Sequence, residues 1–212
     1  RLMSMKRARI GVLASGGGTN LQCIIDACER GEIDADVAVV ISNVPEAFAL
    51  ERAKKHRIDA YAFPHKGVTR EQHEADIIEC LDQHGVDLVV LAGYLRILTP
   101  VFINKYAGRL MNTHPALLPA FGGTGMHGLN VHKAVLDYGC KVSGCTIHFV
   151  TLDVDGGPII LQKSVPVLED DTPETLQERV LKEEHKLFPR AVQLFARGKL
   201  RLEGRRVRIL EQ

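Results

Sequence analysis

The first two thirds of the chain repeat one rhythm: a short apolar run of strand length, then a longer amphipathic stretch. "ARIGVLAS" (8–15), "ADVAVVISN" (35–43), "DAYAFPH" (59–65), "VDLVVLAGY" (86–94) and "RLMNTHP" (109–115) are the apolar runs. Helical spacing fills the gaps at 19–31, 46–57, 69–85 and 99–108. In the first of these, Leu21, Ile24, Ile25 and Cys28 share one face. Thr69 followed by Gln72 has the form of a capping box. Strands that are apolar throughout, separated by helices, require βαβ units and a parallel sheet covered on both faces.

Beyond 115 the rhythm changes. "PAFGGTGMHG" (119–128) is a Gly-rich loop, and a short helix is expected near 130–138. "KVSGCTIHFV" (141–150) and "GPIILQKSVPV" (157–167) are strands whose short link "TLDVDG" fits only an antiparallel pair. A long helix is expected over 172–198, kinked or split at Pro189. "KLRLEGRRVRIL" closes the chain as a hairpin around Glu203-Gly204. The expected fold is α/β, a doubly wound and mostly parallel sheet with antiparallel edge strands. One domain spans 8–200, after a flexible N-terminus (1–7) and before a C-terminal hairpin or tail (199–212).

Composition narrows function. The 212 residues suit one domain. A net charge of +1 and the absence of Trp argue against a broad nucleic-acid or acidic-membrane footprint. No run reaches the ~18 apolar residues of a membrane span. The N-terminal "RLMSMKRARI" is basic but lacks an apolar signal core. Five cysteines (Cys23, Cys28, Cys80, Cys140 and Cys145), an odd number without a C-x-x-C pair, read as free thiols in a reducing cytosol.

"SGGGTN" (15–20) joins the first strand to the first helix. Such a turn presents N–H groups at a helix N-terminus, where an anion binds. Leu21 stands where a dinucleotide fingerprint needs its third glycine, and Ser42-Asn43 end the second strand where a ribose-binding acid is expected. No G-K-[ST] follows, so a P-loop is excluded. Gly17, Gly18, Thr19 and Asn20 suit a monophosphate ester, without nicotinamide or metal.

"MNTHP" (111–115) carries the chemistry. Residues two apart in a strand point to the same side, so Asn112 and His114 share a face. An amide donor beside an imidazole suits a reaction that forms an oxyanion and moves a proton, as in acyl-type transfer. A carboxylate beside the imidazole would favour its charged form. Spacing leaves two candidates, Asp153 and Asp155. A metal site built from His127, His132, His148 and Asp153 is disfavoured because no ligand spacing is present. No G-x-S-x-G supports a serine hydrolase.

In order, "ASGGGTNLQ", "LAGYLRIL", "MNTHPALLP", "GCTIHFV" and "DVDGGPIILQ" resemble the phosphoribosylglycinamide formyltransferase family, folate-dependent enzymes of purine synthesis, over roughly residues 8–200. The resemblance implies formyl transfer from 10-formyltetrahydrofolate to the amine of glycinamide ribonucleotide. It implies Asn112, His114 and Asp155 as the catalytic trio, choosing Asp155 over Asp153. It implies the 5′-phosphate on Gly17, Gly18, Thr19 and Asn20. Leu95, Arg96, Ile97 and Leu98, with Asn112, would grip the folate, and Thr151, Leu152, Asp153, Val154 and Asp155 would close over it. Arg70 matches a folate-site arginine. Leu181, Lys182, Glu183 and Glu184 match a segment that contacts glycinamide ribonucleotide, with Glu184 the strongest of the four.

The loop "GGTGMHGLNVH" is longer than in many relatives, which leaves open whether His127 matches a family histidine near there. The same trio occurs in methionyl-tRNA formyltransferases, formyltetrahydrofolate hydrolases and sugar formyltransferases. The first of these usually carry a C-terminal domain and a basic surface, and the hydrolases an N-terminal regulatory domain. Neither is expected here. The expected partners are small-molecule substrates, without nucleic acid or membrane, in a monomer or a weak dimer.

Overall fold

The computed structural model describes residues 6–210. The chain runs β1 (Ala8–Ala14), α1 (Thr19–Glu29), β2 (Ala35–Ser42), α2 (Phe48–Lys55), β3 (Asp59–Ala62), α3 (Arg70–Gln83), β4 (Leu88–Leu91), α4 (Pro100–Lys105) and β5 (Leu110–His114). It continues with α5 (Leu129–Tyr138), β6 (Val142–Phe149), β7 (Ile159–Pro166), α6 (Pro173–Ala196), β8 (Leu200–Glu203) and β9 (Arg206–Ile209). One sheet has the order β3-β2-β1-β4-β5-β6-β7. It is parallel through β5 and antiparallel at β6 and β7, the expected fold class.

Strand alternation sorts the core into two layers. Ile10, Val12 and Met111 pack with Ile24 and Ile25 of α1 and Phe188 and Val192 of α6. Leu13, Val89, Leu91 and Leu110 face Ile77 and Leu81 of α3 and Phe102 and Tyr106 of α4. Burying a side chain such as Leu110 or Phe188 contributes ~2–3 kcal/mol. The same alternation places Asn112 and His114 on Leu110's face and Thr113 on Met111's.

The strand order reverses between β1 and β4, which opens a crevice at their carboxyl ends. Ser15 ties the two loops there together. Its N–H donates to Gly93 O (3.1 Å), and its Oγ accepts from the Leu95 N–H (2.9 Å).

Several expectations change. The third strand and second helix are shorter than the runs 59–65 and 46–57. The box at α3 is half formed: Thr69 Oγ1 accepts from Gln72 N–H, but the Gln72 side chain donates to Asp76. A complete box lies instead at Thr172/Thr175, ahead of α6. Pro189 does not split α6, which runs unbroken over 24 residues. Burial of Phe188, Ala191 and Val192 on either side of it outweighs the lost backbone bond. Arg7, expected in a flexible terminus, bonds both carboxylate oxygens of Asp36 and the Ala35 carbonyl. Residues 1–5 lie outside the described residues. The β8–β9 hairpin packs Leu200 and Val207 against the first core layer.

Candidate functional site

The loop after β1 is shaped for an anion. Gly18 takes a left-handed conformation (φ 71°), and a Cβ there would come within 2.9 Å of Ala49 Cβ. Only glycine fits. No side chain caps α1 and its first turn holds no acid, so its positive end is uncompensated. Gly17 and Thr19 are exposed and Asn20 is buried. The Asn20 Oδ1 has no protein partner.

The second part lies on the β5–β6 face, beyond the cover of α3 and α4. Register sets Asn112 opposite His148 and His114 opposite Thr146. Asn112 Nδ2 and His148 Nε2 are 3.4 Å apart. His148 Nδ1 lies 3.0 Å from Phe149 O, so Nδ1 carries the proton and Nε2 accepts from Asn112. Burial lowers the His148 pKa, which keeps the ring neutral. One amide hydrogen of Asn112 is thereby spent, and the other is left for a ligand oxygen.

His114 is nearly enclosed. Its Nε2 donates to Phe121 O (2.7 Å) and its Nδ1 faces Asp155 Oδ2 (3.5 Å). Asp155 also accepts from Gly123 N–H and lies 4.0 Å from His148 Nε2. Its backbone is left-handed (φ 54°), an uncommon state for a residue with a side chain. The turn that makes this possible needs the following glycines, because a Cβ on Gly157 would run into the Phe149 carbonyl. Asp153 is exposed, with its carboxylate packed beside Gly156. Of the two acids in this loop, Asp155 is the one that reaches His114.

Two apolar loops flank this face. Leu95 and Ile97 are 72% and 63% exposed, while Leu98 is buried and Arg96 half-buried. Arg70 Nη1 donates to Ile97 O (3.2 Å), and Glu74 accepts from Thr99 N–H and Oγ1. Leu152 and Val154 are exposed in the other loop, and Thr151 is half-buried. Exposed aliphatic side chains on both loops suit a flat apolar ligand.

Only one residue of the 181–184 segment is buried. Glu184 is 6% exposed and accepts from Thr113 Oγ1 (2.7 Å), with Asn20 as a second donor. Burial pushes its carboxyl up to about 7. Lys182 pairs with Glu178, Glu183 pairs with Lys186, and Leu181 is half-buried. Thr113, Asn20 and Glu184 form a cluster on the opposite face of β5 from His114. Both clusters lie at the carboxyl end of β5.

Sequence reasoning missed two groups. Along the sequence His148 offers only a disfavoured metal ligand, because its pairing with Asn112 depends on strand register. Arg52, whose Nε–H donates to Gly17 O (2.6 Å), lies far from the loop in sequence. The alternation of β6, in which Cys145 and Ile147 face the helices, is the signal that turns His148 toward Asn112's face. Among the described residues no group of three or more His, Cys, Asp or Glu is placed to hold a metal, and no helix is long and apolar enough to cross a membrane.

Residues 8–192 match the Formyl transferase family. Phosphoribosylglycinamide formyltransferase of Escherichia coli is 43% identical over 198 residues, 91% of this chain and 89% of that protein. The trifunctional purine biosynthetic protein adenosine-3 of Bos taurus is 46% identical over 93% of this chain, which spans only 19% of that longer protein. The crystal structure of glycinamide ribonucleotide transformylase 1 from Symbiobacterium toebii superposes with a TM-score of 0.94 at 48% identity, covering 100% of this chain and 98% of that one. The chain belongs to the formyl transferase family, among the phosphoribosylglycinamide formyltransferases.

Proposed function

We propose that the protein transfers the formyl group of 10-formyltetrahydrofolate to the amine of glycinamide ribonucleotide, a step of purine biosynthesis. The observation that carries this reading is the pair Asn112 and His114 on one sheet face, with Asp155 of the β6–β7 loop against His114, beside an anion-shaped loop and two exposed apolar loops. Family membership supports it independently.

The phosphate sits on the N–H groups of residues 17–20 and the pterin lies among Leu95, Ile97, Leu152 and Val154. The acceptor reaches past Thr113 and Glu184 toward His114. Its amine forms a bond to the formyl carbon, and the carbonyl oxygen takes up negative charge. The free hydrogen of Asn112 Nδ2 donates to that oxygen. The carbon–N10 bond then breaks, the amine loses a proton and N10 gains one. His114 serves this transfer, with Asp155 holding the ring. To reach the substrate it gives up the Phe121 carbonyl, which belongs to the 119–128 loop and is the replaceable partner. Positioning two substrates in line contributes through proximity. Free thiols suit a reducing, cytosolic setting.

One assay separates the readings. The purified protein should consume 10-formyltetrahydrofolate only when glycinamide ribonucleotide is present. Consumption without acceptor would make it a hydrolase, and none at all a binding module. Asn112→Ala and His114→Ala should each lower turnover ~100-fold or more while the protein remains folded by thermal melt. Near-normal turnover in either variant would remove that residue from the mechanism.

A further inference from the structure

Arg52 is a charged side chain tied to the loop after β1 that the catalytic scheme leaves unused. Its Nε–H donates to the Gly17 carbonyl (2.6 Å) and its Nη1 to Gln22 Oε1 (3.2 Å). Its guanidinium also lies 4.7 Å from the centre of the Phe48 ring. All three partners are neutral. Among the described residues no carboxylate pairs with Arg52, whereas Arg7, Arg30 and Arg179 each hold one. The positive charge beside the loop is therefore not paired directly, and the Asp26 carboxylate is linked to it only through Gln22, whose Nε2 donates to Asp26 Oδ1 (2.9 Å).

The same helix holds a second carbonyl of the loop. Ala49 N–H donates to Gly16 O (3.0 Å). In a trans peptide the C=O and the following N–H point in opposite directions. Holding the Gly16 and Gly17 carbonyls toward α2 turns the N–H groups of Gly17 and Gly18 away from it, toward the ligand side. Arg52 thus acts on the loop in two ways: it orients an amide, and it places a fixed charge behind the anion.

We propose that Arg52 is a positioning residue for the phosphate subsite, one that orients the Gly18 amide and selects a doubly charged phosphate monoester over a neutral ribose. This rests on the reading of residues 17–20 as the phosphate site. One unit charge acting across a half-exposed loop is worth about tenfold in binding, and salt screens it.

The test compares wild type, Arg52→Gln and Arg52→Lys with glycinamide ribonucleotide and with its dephosphorylated riboside. In Arg52→Gln, the ratio of kcat/KM for ribonucleotide over riboside should fall about tenfold. Inorganic phosphate, as a competitive inhibitor, should weaken by a similar factor, and both losses should shrink as salt is raised. Arg52→Lys, which keeps the charge, should recover most of both. The assignment is overturned if Arg52→Gln keeps the wild-type ratio and phosphate inhibition, or if Arg52→Lys is as impaired as Arg52→Gln at every ionic strength. If wild type itself gains nothing from the phosphate and ignores inorganic phosphate, the underlying reading of the loop fails instead. Should Arg52→Gln not fold, the salt dependence of Arg52→Lys against wild type decides, and equal phosphate inhibition at low and high salt in both rejects the role of charge.

Discussion

Glu184 is the residue whose surroundings most alter its chemistry. Burial raises its pKa from 4.5 to about 7, while hydrogen bonds from Thr113 and Asn20 pull the other way. The folded state then binds this proton more tightly than the unfolded state. The stability it confers is complete below about pH 4.5 and is lost as pH rises through about 7. Glu184→Gln removes the titration and keeps an acceptor for Thr113. We expect the variant to gain stability over wild type between pH 5 and pH 8, by up to about 3 kcal/mol. Thermal melts of both proteins at the two pH values check this, and a difference that does not change with pH would show that Glu184 is not held neutral. The residues that flank β5 were unequally visible in the sequence. Asn112 and His114 declared a shared face because strand alternation is local. His148 did not, because its partnership with Asn112 is set by antiparallel register between distant segments. Spacing alone could not choose between Asp153 and Asp155. A left-handed turn at Asp155 brings the latter to His114.

At the scale of elements, α3 is the brace for the loop that follows β4. Arg70 holds the Ile97 carbonyl, and one turn later Glu74, 4% exposed, holds Thr99 where α4 begins. The exposed Leu95 and Ile97 are presented between these anchors. Glu74→Ala leaves the Thr99 N–H without its acceptor, at a cost of about 1–3 kcal/mol. For a chain of this size that lowers Tm by roughly 2–4 °C per kcal/mol. We also expect KM for the formyl-folate to rise while KM for the ribonucleotide stays near wild type. An equal rise in both would mean that the loss is general rather than local to the loop. Helix and strand periods announced these elements well, since each must bury one stripe or both faces. Pro189 shows where local rules stop. A proline inside a helical pattern argues for a break, yet α6 is fastened on both sides of it by buried Phe188, Ala191 and Val192, a tertiary fact invisible along the chain. The contact of Arg52 with the first loop is invisible along the chain for the same reason, since α2 returns to that loop only after β2 has paired with β1.

For the whole molecule, the loops after β1 and β4 are one hydrogen-bonded unit at the switch point of the sheet. Ser15 ends the segment leading into the anion loop, and its Oγ accepts from Leu95 N–H while donating to Asn43 Oδ1 (2.6 Å). Ser15 and Asn43 are both buried, so water does not readily replace these bonds. A ligand that orders either loop therefore lowers the cost of ordering the other. Coupling of this kind is reciprocal: each ligand must change the other's affinity by the same factor. We expect tetrahydrofolate to tighten inorganic phosphate or ribonucleotide binding to wild type by a few-fold, and the ribonucleotide to tighten tetrahydrofolate equally. Ser15→Ala removes the bridge without adding bulk, and it should bring both factors toward one while each ligand alone still binds. Calorimetric titration of each ligand, with and without saturating amounts of the other, measures the four affinities. If Ser15→Ala keeps the wild-type factor, coupling runs through the shared sheet or the ligands themselves rather than through this side chain.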